Sequence, residues 1–264
     1  MSGPGGYVAL GSSMAAGPGI PPRAPGSPRL AGRSARNYPH LVAEALSLRL
    51  IDVTYSGATT ANILGESQFG APPQLEALDD GPGARAQLVT ITIGGNDIGY
   101  VPMLSAATTP AALRRVPLLG ARLRELLDPA AREAALRTLE VSMRAVGQAV
   151  RAQVPDARVM FVDYLTLLPP ATEPAPPLSA RHAELGRHLA DRLATITAEA
   201  AADTGCEIVR AAEASRDHHA WSADPWTLGT GFALAFLFGK PAPLHPNAAG
   251  MAAVADLIVA QWRR

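Results

Sequence analysis

The chain has one cysteine among its 264 residues. Cys206 cannot form an internal disulfide, which favours a reducing compartment, so the expected location is cytoplasmic. Neither sign of charge is in excess: Lys and Arg number 23, Asp and Glu 23, for a net charge of zero. With no basic surplus to neutralise phosphates, a nucleic-acid partner is not expected. Aromatics are scarce at 5%, so Ala, Leu and Val must fill the core that a 48% hydrophobic content supplies. Long apolar runs are missing too. The longest uncharged ones, such as Thr227 to Gly239, are too short and too Gly-broken to span a membrane, so stable insertion is not expected. Met1 to Gly6 carries no Lys or Arg before the first apolar run and does not read as a signal peptide.

What is present alternates between strand-like and helical stretches. Tyr7–Leu10, Leu50–Tyr55, Leu88–Ile93, Arg158–Asp163 and Cys206–Arg210 read as strands, the third being β-branched at five of six positions. Helical spacing marks Tyr38–Leu48 and Pro110–Val154, the latter with a break or start at Asp128-Pro129. Ser179–Asp203 is a long Ala/Leu/Arg helix, and Pro246–Trp262 closes the chain with Pro246 at the first helical position. Pro18–Arg36, Gly65–Gly83, Pro169–Pro177 and Arg216–Pro243 read as loops. The alternation predicts an α/β fold: a parallel sheet of about five strands covered on both faces. No repeat or linker divides the chain, so residues 1–264 are expected to form one domain.

Ligands of such sheets bind at the carboxyl ends of the strands. Three segments stand there. Gly11-Ser12-Ser13-Met14-Ala15 approaches the Gly-x-Ser-x-Gly elbow of a nucleophilic serine, with Ala at the last position. The competing reading is a plain βα turn or a phosphate loop, although Gly11 and Gly17 do not match G-x-G-x-x-G and Asp52 falls inside a strand. Gly57 follows the second strand and can present its N–H without a side chain in the way. Gly94-Gly95-Asn96-Asp97 follows the third, where Asn96 can bond a developing oxyanion, or Asn96 and Asp97 can cap the next helix.

Six histidines compete for the general base. His182 and His188 lie on different faces of a helix, and His40 starts another. Adjacent His218 and His219 point apart, which argues against a metal pair. His245 sits between Pro243 and Pro246, rigidly held before a helix, with Asn247 able to fix the turn. A hydroxyl, an imidazole and amide donors are what acyl transfer needs.

Gly11-Ser12-Ser13, Gly57, Gly94-Gly95-Asn96-Asp97 and His245-Pro246-Asn247 together resemble the four sequence blocks of the SGNH (GDSL-type) hydrolase superfamily. Tyr38-Pro39-His40-Leu41 and Ser56-Gly57-Ala58-Thr59-Thr60 resemble its lipase and esterase branch. The similarity runs from Tyr7 to about Tyr100 and again from Trp221 to the end. It implies a three-layer, flavodoxin-like αβα sandwich and hydrolysis of acyl esters without metal or cofactor. Ser13 would be the nucleophile, its N–H, the Gly57 N–H and the Asn96 side chain the oxyanion hole, and His245 the base. Ser12 replaces the usual Asp of the first block. Ala242 stands three residues before His245, where the family's acid is expected, and the resemblance implies that its backbone carbonyl orients the ring in a Ser-His dyad. Asp217 and Asp224 are the alternative partners. Cysteines common in the secreted branch are absent, with Tyr55 at one such position.

Trp226, Phe232 and Phe236 are the candidate substrate contacts, in an apolar stretch that serves equally as core or lid packing. The expected function is a serine esterase acting on a small-molecule ester of short-to-medium acyl chain, with no obligatory protein partner. The alternatives are a non-catalytic ligand-binding module on the same fold, or a carbohydrate deacetylase, thioesterase or lysophospholipase.

Overall fold

Apolar side chains alternate along three central strands and so divide between two helix layers. In the computed structural model, which describes residues 5–79, 81–110, 112–231, 240 and 242–264, strands β1 (Gly6–Gly11), β2 (Arg49–Asp52), β3 (Ala86–Thr92), β4 (Arg158–Val162) and β5 (Glu207–Val209) are all parallel. Their spatial order is β2-β1-β3-β4-β5. Val8, Leu10, Val89, Ile91, Val159 and Phe161 point into one buried cluster. Tyr7, Ala9, Leu88, Met160 and Val162 point into the other, as the period of two requires. Helices α3 (Thr60–Leu64), α4 (Tyr100–Ala107), α6 (Pro129–Gln153) and α7 (Ala180–Asp203) cover the first face. Helices α2 (Tyr38–Leu46) and α9 (Ala248–Trp262) cover the second. The remaining helices are short: α1 (Ser13–Ala16), α5 (Leu119–Leu126) and α8 (Ala211–Ala214). This is the expected three-layer αβα arrangement.

The order 2-1-3-4-5 reverses direction between β1 and β3, and the crevice at such a switch point is where a ligand can enter. Ser13 follows β1 and Asn96 follows β3.

Several boundaries differ from the sequence expectation, for identifiable reasons. β2 is shorter than expected and ends at Asp52, whose carboxylate accepts from Thr54 N (2.9 Å) and Thr54 Oγ1 (2.7 Å), while Val53 N and Tyr55 N still donate to Ala9 O (3.1 Å) and Gly11 O (3.0 Å) of β1. α4 falls in a stretch that no helical spacing marks, although a helix capped by Asn96 and Asp97 is one alternative. Its Pro102 falls in the first turn, where a missing N–H breaks no bond. The helical middle is accordingly interrupted, with α5 and α6 separate and Asp128 capping α6 through Ala130 N at 3.0 Å. Pro246 is not the first residue of the last helix: Asn247 is its N-cap and Ala248 its first residue.

Candidate active site

The turn after β1 is held by neighbours distant in sequence. At the end of β1 the Gln74 side chain pairs as a strand backbone would: Gly11 N donates to Gln74 Oε1 (2.7 Å) and Gln74 Nε2 donates to Gly11 O (3.1 Å). Gly11 O also accepts from Tyr55 N at 3.0 Å, and Ser12 N donates to Thr92 O at 2.9 Å. On the other side Gly95 N donates to the Tyr164 hydroxyl (3.1 Å), which in turn bonds Ser12 Oγ (2.9 Å). One phenol thus joins the ends of β1, β3 and β4. Burial pushes its pKa up to about 12, so it stays protonated. Gly95 has to be glycine, because a Cβ there would lie 2.4 Å from the Tyr164 ring.

Ser12 is the N-cap of α1 and Ser13 its first residue. A first-turn N–H has no partner within its helix, and among the described residues nothing accepts from Ser13 N or Gly57 N. Ser13 is 7% exposed, and its Oγ lies 2.8 Å from Nε2 of His245, 232 residues away.

His245 is held by loop rather than sheet. Residues 226–229 run antiparallel to 244–247: Leu228 N donates to His245 O, Leu244 N to Leu228 O, and Asn247 N to Trp226 O. Asn247 adds Nδ2 to Pro225 O (2.6 Å) and accepts from Gly250 N (2.9 Å). The acceptor for the ring's other nitrogen is the Pro243 carbonyl at 2.7 Å, not the Ala242 carbonyl expected from the sequence. Leu244 takes a left-handed φ of 59°, and this tight turn brings the carbonyl two residues back, rather than three, onto Nδ1. Ala242 is buried and donates its N–H to Pro18 O. Because a carbonyl only accepts, the proton resides on Nδ1 and Nε2 is left with its lone pair toward Ser13. Burial lowers the His245 pKa, partly offset by the Pro243 bond, which keeps the ring neutral near pH 7.

Asn96 and Gly57 share the rim. Asn96 Nδ2 donates to Ala58 O at 2.8 Å, which fixes the amide and leaves its second N–H to spare. Gly57 has a φ of 83°, a conformation a side chain would strain. Asp97 does not cap the helix that follows it. Its carboxylate accepts from Thr60 N (3.0 Å) and Thr60 Oγ1 (2.6 Å), anchoring the start of α3 and with it the Gly57 loop. Burial raises its pKa.

The other titratable candidates are engaged elsewhere. His218 pairs with Asp224 (Nδ1 to Oδ2, 3.4 Å) and stacks on the Trp226 ring at 3.9 Å, and Asp224 is not the partner of His245, whose Nδ1 bonds Pro243 O. Trp226 also supports the base loop through its backbone, its carbonyl accepting from Asn247 N. Asp217 lines a cavity of about 740 Å³ beyond β4 and β5, with Asp163 and Arg210; neither Ser13 nor His245 borders it. Burial pushes Asp163 up to about 6 there. His40 bonds Asn37 Oδ1 at 2.6 Å, and His188 pairs with Glu133. Phe232 and Phe236 lie outside the described residues. Among the described residues no three His, Cys, Asp or Glu side chains group to hold a metal ion, and no helix is long and apolar enough to cross a membrane.

Three contributors escaped the sequence reading. Gln74 lies in a stretch with no pattern, and Pro243 was passed over for its neighbour. Tyr164 stands just past β4, where the strand-end rule that marked Ser13 and Asn96 would also have marked it.

Residues 9–253 match the GDSL-like lipase/acylhydrolase family. Lipase 2 of Streptomyces coelicolor is 33% identical over 95% of this chain and 83% of its own. Among solved structures, phospholipase A1 of Streptomyces albidoflavus NA297 superposes with a TM-score of 0.78 at 26% identity, covering 99% of this chain and 100% of that one. The extracellular lipase of Streptomyces rimosus gives 0.75 at 26%, covering 98% and 100%.

Proposed function

The chain belongs to the GDSL-like lipase/acylhydrolase family and is an ester hydrolase, and on that premise we propose that it cleaves carboxylic esters through an acyl-enzyme on Ser13. The observation that carries this reading is the 2.8 Å approach of Ser13 Oγ to His245 Nε2. His245 takes the Ser13 proton as Oγ attacks the ester carbonyl, then returns it to the leaving alcohol; water repeats the cycle to release the acid. The Pro243 carbonyl fixes the tautomer and stabilises the imidazolium, less strongly than a carboxylate would. The tetrahedral oxyanion is received by the N–H groups of Ser13 and Gly57 and by the spare N–H of Asn96. One such donor is worth about 3 kcal/mol in related chemistry.

For substrate we favour a small ester with a short-to-medium acyl chain, contacted by Phe232 and Phe236. The name of the S. albidoflavus neighbour puts phospholipids on the test panel beside p-nitrophenyl esters. One domain and a cytoplasmic location complete the proposal. One solved neighbour is an extracellular enzyme by name, so fractionation of the native cells decides the location.

The test is labelling with a fluorophosphonate read by intact mass. Wild type gains one adduct and Ser13→Ala none, and p-nitrophenyl ester turnover falls at least about 10⁴-fold in both Ser13→Ala and His245→Ala. No labelling above a denatured control overturns the reading in favour of a binding module.

A further inference from the structure

Seven large apolar side chains are exposed among the described residues, and four of them, Leu113, Val116, Leu118 and Leu119, fall within seven consecutive positions. The same segment concentrates charge. Residues 113–124 carry Arg114, Arg115, Arg122 and Arg124 with no acidic residue, in a chain of zero net charge. Arg115 and Arg122 are exposed. Glu125 and Asp128 follow, the latter occupied as the cap of α6.

Leu118 is the extreme case at 88% exposure. It sits at the apex of a γ-turn, φ 63° and ψ −56°, closed by Leu119 N donating to Pro117 O at 2.7 Å. That turn is rare and strained for any residue with a side chain. A strained turn that holds a leucine in water, in a segment that also carries exposed Arg115 and Arg122, has the chemistry of an interfacial amphipathic segment.

Its place in the fold adds a reason. The segment lies between α4, which begins just past β3, and the start of α6. Leu126 and Arg132 pack against Gly99, and Arg132 Nη1 donates to Ile98 O at 2.7 Å, only two residues from Asn96. The helix that ends the segment, α5, thus closes with Leu126 beside Gly99, three residues after Asn96.

We propose that residues 113–124 dock the protein on the surface of an anionic lipid aggregate, leucines in the acyl boundary and arginines at the headgroups. The benefit to catalysis rests on the esterase reading, since docking here brings the Ser13 rim to lipid esters; the binding itself does not.

The experiment is co-sedimentation of full-length Ser13→Ala protein, which leaves the lipid intact, with vesicles of phosphatidylcholine alone or mixed with phosphatidylglycerol. The protein sediments with the anionic vesicles, and salt releases it, because each basic side chain near such a surface is worth roughly fivefold in binding. Leu118→Ser with Leu119→Ser, and separately Arg115→Glu with Arg122→Glu, each lower binding at least about tenfold. The same changes in the Ser13 background leave turnover of a soluble short-chain ester unaltered, which shows that the fold persists. Equal binding to neutral vesicles, or variants that sediment like the parent, overturns the proposal. So does self-association in light scattering that Leu118→Ser abolishes, which makes a second copy the occupant. A parent that binds anionic vesicles but turns over no soluble ester sinks the esterase reading and leaves the docking surface standing.

Discussion

The two halves of the Ser13–His245 pair are held by different kinds of structure. Ser13 is fixed from the sheet: Gln74 clamps both backbone groups of Gly11, and Tyr164 ties Ser12 to Gly95. His245 is fixed by one loop lying against another, through main-chain bonds to residues 226–229 and the two amide contacts of Asn247. The nucleophile's position is therefore a property of the core, shared with global stability. The base's position is a property of a loop pair outside the sheet, which can loosen while the sheet stays folded.

That contrast breaks if damage on the two sides has the same signature. The largest effect is expected from Gln74→Leu, which leaves the buried Gly11 N–H without an acceptor at a cost of about 1–3 kcal/mol. The melting temperature falls by about 2–4 °C per kcal/mol, and kcat falls with it, roughly ten- to a hundredfold, as the turn shifts. Calorimetry and ester kinetics on one preparation check both. Asn247→Ala comes next: it removes a helix cap and the bond to Pro225, costing about 1 kcal/mol, so the melting point falls by only about 2–4 °C. Here kcat falls about tenfold while fluorophosphonate still labels Ser13. Equal loss of melting temperature in the two variants would erase the distinction.

The smallest effect is in the pH profile. Neutral His245 is the active form and burial lowers its pKa, so the acid limb of kcat/KM lies below 6.5, the group's ordinary value. The sign carries over to stability. As the pH drops below 6.5 the unfolded chain takes up a proton that the folded ring resists, so this contribution is present above 6.5 and lost toward acid. An acid limb above 6.5 contradicts the environment described for the ring.

The sequence made legible what is local. Ser13 and Asn96 could be placed because each ends a strong apolar run, and His245 because prolines flank it before a helix. The layers and the parallel sheet followed from alternation alone. What stayed hidden depends on contacts across the chain. Nothing near Gln74 signals that its amide pairs with both backbone groups of Gly11, 63 residues away. Pro243 could not be told from Ala242 without the left-handed turn at Leu244. α4, eight residues long with Pro102 in its first turn, carries no helical spacing that marks it.

Orienting the imidazole through Pro243 O moves one member of the machinery out of the reach of coding change. Every amino acid brings the same peptide oxygen, so no replacement at position 243 deletes it, whereas an acidic partner is lost by a single base exchange. The vulnerability passes to position 244, where the backbone angle, not any functional group, decides whether that oxygen faces the ring.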